Sequence, residues 1–183
     1  MAKKIRVSSK DGMKGDGTIV LTPIGVVHSP LGEKSENIPF QSFMSEVEGT
    51  IEVGEEYEQG LDGIEGFSHL SIIYYLHKNR KTKLMTVPLL EKEERGIFGT
   101  RSPSRPNHIG SSTVRLLSRE GRILRVKGLD MFDGTPVLDI KPYVPKVDLV
   151  QGVDNKWLVK KLDEIDDMDQ TQKESIQKHL RDE

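Results

Sequence analysis

Residues 96–110 read Gly-Ile-Phe-Gly-Thr-Arg-Ser-Pro-Ser-Arg-Pro-Asn-His-Ile-Gly, the densest concentration of chemically capable side chains in the chain. Pro103 and Pro106 fix φ and stiffen the loop, so side chains carried on it lose less freedom when they bind. Arg101 and Arg105 offer planar, multidentate donors suited to a carboxylate or a phosphate. Asn107 can take a left-handed turn or hydrogen-bond a base edge. A second segment, residues 129–143, reads Leu-Asp-Met-Phe-Asp-Gly-Thr-Pro-Val-Leu-Asp-Ile-Lys-Pro-Tyr. Asp133-Gly134 is a hairpin signal. On the strand that follows, alternation puts Val137 and Asp139 on one side and Leu138 and Ile140 on the other. A carboxylate among aliphatic neighbours requires a cationic partner, either an arginine, a lysine or a ligand ammonium.

The elements that position these segments are mostly short strands. The residues 18–27 suggest a strand with Pro23 at an edge or bulge, and Val47, Thr50, Ile51 and Val53 a second one. Residues 67–76 form a near-continuous apolar run, the pattern of a strand covered on both faces. Further strands are expected at 97–100, 113–117, 123–129 and 136–141. Gly and Asp turns recur between them, so the fold class is mainly β, a small barrel. Residues 1–17 carry no periodicity and read as a mobile N-terminal tail. The barrel domain spans 18–150. Residues 151–183 form a helical C-terminal extension, where Trp157, Leu158, Leu162 and Ile165 share roughly one helical face behind Asp154.

Composition narrows the function further. The 183 residues contain no cysteine, which excludes disulfides, thiolate nucleophiles and cysteine metal sites. No His-Glu-x-x-His or comparable spacing is present, so no metal is expected, and His28, His69 and His179 read as satisfied or surface histidines. Gly60, Gly63 and Gly66 precede a strand rather than a long helix and read as turns. No signal peptide or membrane span is visible, which places the chain in the cytoplasm. The net charge is −2. Residues 95–127 nevertheless carry eight cations against Glu120 alone, while residues 46–65 carry eight acids and no base. Such separation can give one face a positive field, with Arg105, Asn107, Arg119, Arg122 and Lys127 as candidate contacts to a polyanion, or can be solvated strand faces. A second basic cluster holds Lys78, Arg80, Lys81 and Lys83.

The two long segments, with Ile24-Gly-Val-Val-His-Ser-Pro30 and Gly66-Phe-Ser-His-Leu70 running on to His77, carry a resemblance. Residues 98–110 resemble the F-A-T-R-S-P-x-R-P-N-P-I-G motif of the TrmO (TsaA-like) family, and residues 129–145 its L-D-x-x-D-G-T-P-V-L-D-I-K-P-Y-x-P motif. The resemblance covers about residues 18–150. It implies a β-barrel methyltransferase outside the Rossmann type, a homodimer holding S-adenosylmethionine near the subunit interface. The substrate it implies is N6-threonylcarbamoyladenosine beside the anticodon of tRNA, methylated at N6. It also carries cofactor contacts onto Glu33, Lys34, Ser35, Gln41, Leu76, His77, Arg101, Ser111 and the strand residues Pro136, Val137, Leu138 and Asp139. The acceptor nitrogen must lose a proton, and His77 and His108 are the candidate bases. The chain departs from the family pattern at His108 and Ser111, where relatives carry proline and leucine. That departure keeps two alternatives open: a module that binds S-adenosylmethionine without methyl transfer, and a methyltransferase for another acceptor.

Overall fold

The computed structural model describes residues 5–8, 18–32, 35, 39, 41–88 and 93–153. Ten strands are present among them: β1 (Ile5–Ser8), β2 (Thr18–Leu21), β3 (Gly25–His28), β4 (Glu48–Val53), β5 (His69–Tyr75), β6 (Met85–Thr86), β7 (Arg95–Gly96), β8 (Ile109–Glu120), β9 (Ile123–Lys127) and β10 (Pro136–Pro142). One short helix, α1 (Pro145–Asp148), follows. Six strands close a barrel in the order β10-β3-β4-β9-β8-β5, and every neighbouring pair is antiparallel. Closure satisfies all six strands and leaves no open edge. The barrel is the mainly β architecture expected from the sequence.

The interior is filled by alternate residues. Leu70, Ile72 and Tyr74 of β5 point inward, with Ile51 and Val53 of β4, Val114 of β8, Leu124 and Val126 of β9, Val27 of β3 and Val137 of β10. Leu61, Leu129 and Met131 close the ends of this core. Each such aliphatic side chain stabilises the fold by about 1.5–3 kcal/mol through burial. Among the described residues no helix is long and apolar enough to cross a membrane.

Four local expectations are corrected. The 18–27 segment is two strands, because Pro23 lies in the gap between β2 and β3. Strand β5 is buried on its inner face, while Ser71, Ile73 and Tyr75 on the other are half-buried. Residues 97–99 form a 3₁₀ turn rather than a strand, closed by Thr100 N–H donating to Ile97 O. Asp133-Gly134 makes a turn, with Gly134 at φ 75, but not a hairpin, since β9 and β10 are not neighbours. In addition, Ile5–Ser8 pairs antiparallel with β2 inside the stretch read as a tail; its Ile-Arg-Val-Ser alternation is itself a strand pattern, too short to stand out alone. The helix expected from Asp154 lies outside the described residues, as do Glu33 and Lys34.

Candidate active site

Strand directions decide which loops meet. The connections after β3, β5 and β9 all emerge at the same barrel end, so the described residues among 29–47, 76–108 and 128–135 gather there. The connection after β4 and the β8–β9 hairpin lie at the opposite end. Both long motifs therefore contribute loops to one end of the barrel.

At that end Arg101 Nε donates to Gln41 Oε1 at 2.8 Å and its Nη2 to the Ser111 carbonyl at 3.1 Å. Three residues expected at the cofactor are thus brought into one network, and Ser111 contributes its backbone rather than its side chain. Ser35 closes a small turn, its N–H donating to Gly32 O at 3.0 Å and its Oγ accepting from Gly32 N at 2.6 Å. Leu76 and His77 leave β5, and Leu76 N–H donates to the His108 carbonyl at 2.8 Å. Thr135 is buried, and its Oγ lies 3.3 Å from His77 Nδ1 and 2.7 Å from the Phe132 carbonyl. A hydroxyl has one proton, and a carbonyl can only accept, so Thr135 donates to Phe132 and accepts from His77. Nδ1 of His77 therefore carries a proton.

The strand 136–139 does not act as a unit. Val137 is buried in the core, and Pro136 pairs with Val26. A bulge between Val137 and Asp139 then shifts the register against β5. The bulge moves Asp139 off the side it was expected to share with Val137, and Ile140, opposite Ile72, takes the inward place. Asp139 pairs with Lys141 and lines an open cleft with Glu56, Tyr57 and Ile64 at the far end of the barrel. Its carboxylate has the cationic partner expected of it, supplied from two residues along the same strand.

The proline loop is largely self-supporting. Arg105 Nη1 donates to the carbonyls of Thr100 at 2.9 Å and Ile97 at 3.3 Å, and its guanidinium lies 5.8 Å from the Phe98 ring centre. The left-handed residue is His108, at φ 51, rather than Asn107, which is exposed. His108 packs edge-on to Tyr75, ring centres 6.3 Å apart, and its Nε2 lies 3.1 Å from the Lys81 carbonyl.

A buried polar chain beneath the site was not found from sequence. Tyr74 Oη lies 3.1 Å from Ser112 Oγ, which donates to Asp130 Oδ1 at 2.7 Å. With the serine proton committed to the carboxylate, Tyr74 is the donor to Ser112. Burial pushes the Asp130 carboxyl up, partly opposed by hydrogen bonds from Ser112 and from backbone, and by the charge of Arg101. Burial, together with the Asp130 charge, pushes Tyr74 up to about 12. Tyr74 stands opposite Gly110, two residues before Ser112. Asp130 had a sequence signal, an acid between apolar Leu129 and Met131, both of which are buried.

The expected positive face is corrected more sharply. Strands β4 and β9 are neighbours, with Glu48 opposite Lys127, so the acidic and basic blocks interleave. Arg122 meets Glu52 at 2.6 Å, Arg125 meets Glu48 at 3.6 Å, and Lys127 pairs with Glu46. Arg119 reaches Glu65 at 3.3 Å and Asp62 at 3.6 Å, and donates to the Leu61 carbonyl at 2.9 Å. Arg119 and Arg122 flank the hairpin at the end away from the motif loops. Three of the four cations expected to meet a polyanion, Arg119, Arg122 and Lys127, are therefore paired with carboxylates where they stand.

The fold and site together define a class: a closed antiparallel barrel with ligand-capable loops gathered at one end. Residues 26–149 match the family described as the tRNA-methyltransferase O N-terminal domain, and the chain belongs to that family. It is 45% identical to a probable S-adenosyl-L-methionine-binding protein of Pyrococcus abyssi, over 81% of this chain and 80% of that one. It is 36% identical to a tRNA (adenine(37)-N6)-methyltransferase of Homo sapiens, over 75% of this chain and 33% of that one. Among solved structures it is similar to TrmO from Pseudomonas aeruginosa, with a TM-score of 0.62 and 36% identity, over 75% of this chain and 61% of that one.

Proposed function

We propose that the chain is a methyltransferase that uses S-adenosylmethionine to methylate N6 of N6-threonylcarbamoyladenosine beside the anticodon of tRNA. The observation that carries this reading is the convergence of Gln41, Arg101 and the Ser111 carbonyl with His77 at one barrel end, in a chain of this family. The donor set fits the cofactor. Arg101 is exposed and oriented by two acceptors; its Nη1 has no partner among the described residues, which suits a ligand carboxylate. Glu33 is the candidate partner of the ammonium, since Asp139 is engaged by Lys141 at the other end of the barrel. The bound cofactor would supply an electrophilic methyl group on a sulfonium.

The chain's own residues have two tasks, holding the acceptor in line and removing its proton. His77 is the better-placed base, because the Thr135 hydroxyl accepts from its Nδ1 and orients the ring at the barrel end that carries Arg101. His108 Nε2 is turned to the Lys81 carbonyl and so is placed to donate. A cytoplasmic homodimer is part of the same reading, supported by the exposed Phe43 and Met44 two and three residues beyond Gln41.

The test is incubation with S-adenosylmethionine and threonylcarbamoylated tRNA, followed by digestion and mass analysis of the nucleosides. A threonylcarbamoyladenosine heavier by one methylene is expected. A second reading, cofactor binding without transfer, has its support in the names of the archaeal relatives. Cofactor binding with no release of S-adenosylhomocysteine would establish it over the first.

A further inference from the structure

A further group of cations lies beside the site. Residues 67–90 contain no Asp or Glu, and Lys78, Arg80, Lys81 and Lys83 follow within a few residues of His77. Arg80 and Lys83 are exposed. Their segment is stapled to the proline loop. Lys83 N–H donates to Ser104 O at 3.1 Å, Asn79 Nδ2 to Ser104 Oγ at 3.4 Å, and Lys81 N–H to Asn79 Oδ1 at 2.9 Å. Ile97 N–H donates to the Leu84 carbonyl at 2.9 Å, which sets the 97–99 turn next to the basic segment. On that turn Phe98 is 75% exposed, far more than the core aromatics, with the Arg105 guanidinium over its ring.

We infer that this strip receives a single-stranded loop of RNA, with backbone phosphates on Arg80 and Lys83 and an unpaired base stacked on Phe98. The inference rests on the reading of RNA as substrate and locates the surface that meets it. Lysines and arginines on a fixed backbone supply the charge term of RNA affinity. An exposed ring beside a cation supplies a stacking platform, which bases already paired in a duplex cannot use. Arg105 is held by two carbonyls, so the platform is built before RNA arrives.

The test measures anisotropy of a labelled RNA hairpin with an anticodon-type loop, and of a blunt duplex of equal length, over a range of salt. Arg80→Ala/Lys83→Ala is expected to weaken hairpin binding at least about tenfold at low salt. Its slope of log affinity against log salt becomes shallower by about 1.4, at ~0.7 per phosphate contact on a single strand. Phe98→Ala is expected to weaken the hairpin by roughly five- to a hundredfold with the slope unchanged and the duplex unaffected. Arg122→Ala/Lys127→Ala should bind as the parent does. Melting curves confirm that each variant is folded. Parent-like hairpin binding by folded Arg80→Ala/Lys83→Ala and Phe98→Ala overturns the surface while leaving the RNA reading in place. Phe98→Ala that alters sedimentation of the free protein, with RNA affinity unchanged, assigns the ring to a second copy of the chain and also overturns it. Failure of the parent to bind either RNA at low salt overturns both readings together.

Discussion

Gly110→Ala is expected to destabilise the barrel by about 1–3 kcal/mol, through a single contact. Gly110 lies opposite Tyr74, whose ring crosses the place a side chain would occupy. A Cβ there would stand 2.4 Å from Tyr74 Cε2, 2.5 Å from Cζ and 2.9 Å from Oη. Ordinary contact begins near 3.4 Å, so the ring must retreat by about 1 Å. Tyr74 is 7% exposed and walled in by the core, and overpacking of that kind costs about 1–3 kcal/mol. The retreat also stretches the 3.1 Å bond from Tyr74 to Ser112, worth about 0.5–1.5 kcal/mol. Alanine in a strand returns about 0.5–1 kcal/mol over glycine, and the net stays unfavourable. In a barrel of this size 2 kcal/mol corresponds to a fall of about 4–8 °C in Tm. Urea unfolding of the parent, Gly110→Ala, Tyr74→Leu and the double variant measures the coupling. With the ring gone, Gly110→Ala should be nearly neutral or stabilising. An equal loss in both backgrounds would refute the argument, since the cost would then lie in the backbone rather than the ring.

Arg101→Lys keeps the charge but loses the planar fork held by Gln41 and Ser111. It should weaken S-adenosylmethionine binding about ten- to a hundredfold by calorimetry, the range of one charged hydrogen bond. Arg119→Ala should lower stability by about 1–3 kcal/mol, because Arg119 is largely buried and satisfies the Leu61 carbonyl; denaturation checks this, with RNA affinity unmoved. The two shifted carboxyls give opposite pH signatures. Asp130 is raised in the fold, so parent stability relative to Asp130→Asn is fully present below the ordinary carboxylate value and falls as pH rises through the folded value. Glu52 is lowered, first by its bond to His28 and then by that to Arg122. The advantage of the parent over Glu52→Gln is therefore present at neutral pH and disappears as pH falls through the folded value. Urea midpoints of both variants between pH 3 and pH 8, compared with the parent, read the two slopes.

The barrel was legible because strand alternation and turn residues are local signals, and each strand of the barrel left them. The density of prolines, arginines and glycines in residues 96–110 likewise marked the loop that carries Arg101. What escaped were features set by register. The bulge between Val137 and Asp139 moves Asp139 to the other side of its strand, and strict alternation cannot anticipate an extra residue. The chain from Tyr74 through Ser112 to Asp130 joins three separate segments, and only the β5–β8 register brings the first two together. Residues 97–99 read as a strand because Ile-Phe carries β propensity, while the turn is closed by a backbone bond from Thr100 to Ile97.

The charge blocks failed as a guide for a reason that carries further. In a helical or disordered chain, a run of like charge stays a run in space. In an antiparallel barrel each strand lies against two others, and opposite charges across strands attract while like charges repel. An acidic strand β4 is therefore most stable beside a basic β9, and Glu48 opposite Lys127 is that arrangement. Blocks of opposite sign in a β sequence are thus evidence that the strands are neighbours before they are evidence of a charged face. The informative cations are those that strand pairing does not set against an acidic neighbour. By that criterion Arg80 and Lys83, on a loop beside His77 and stapled to the loop of Arg101, outrank Arg119, Arg122 and Lys127 as the place where a polyanion would bind.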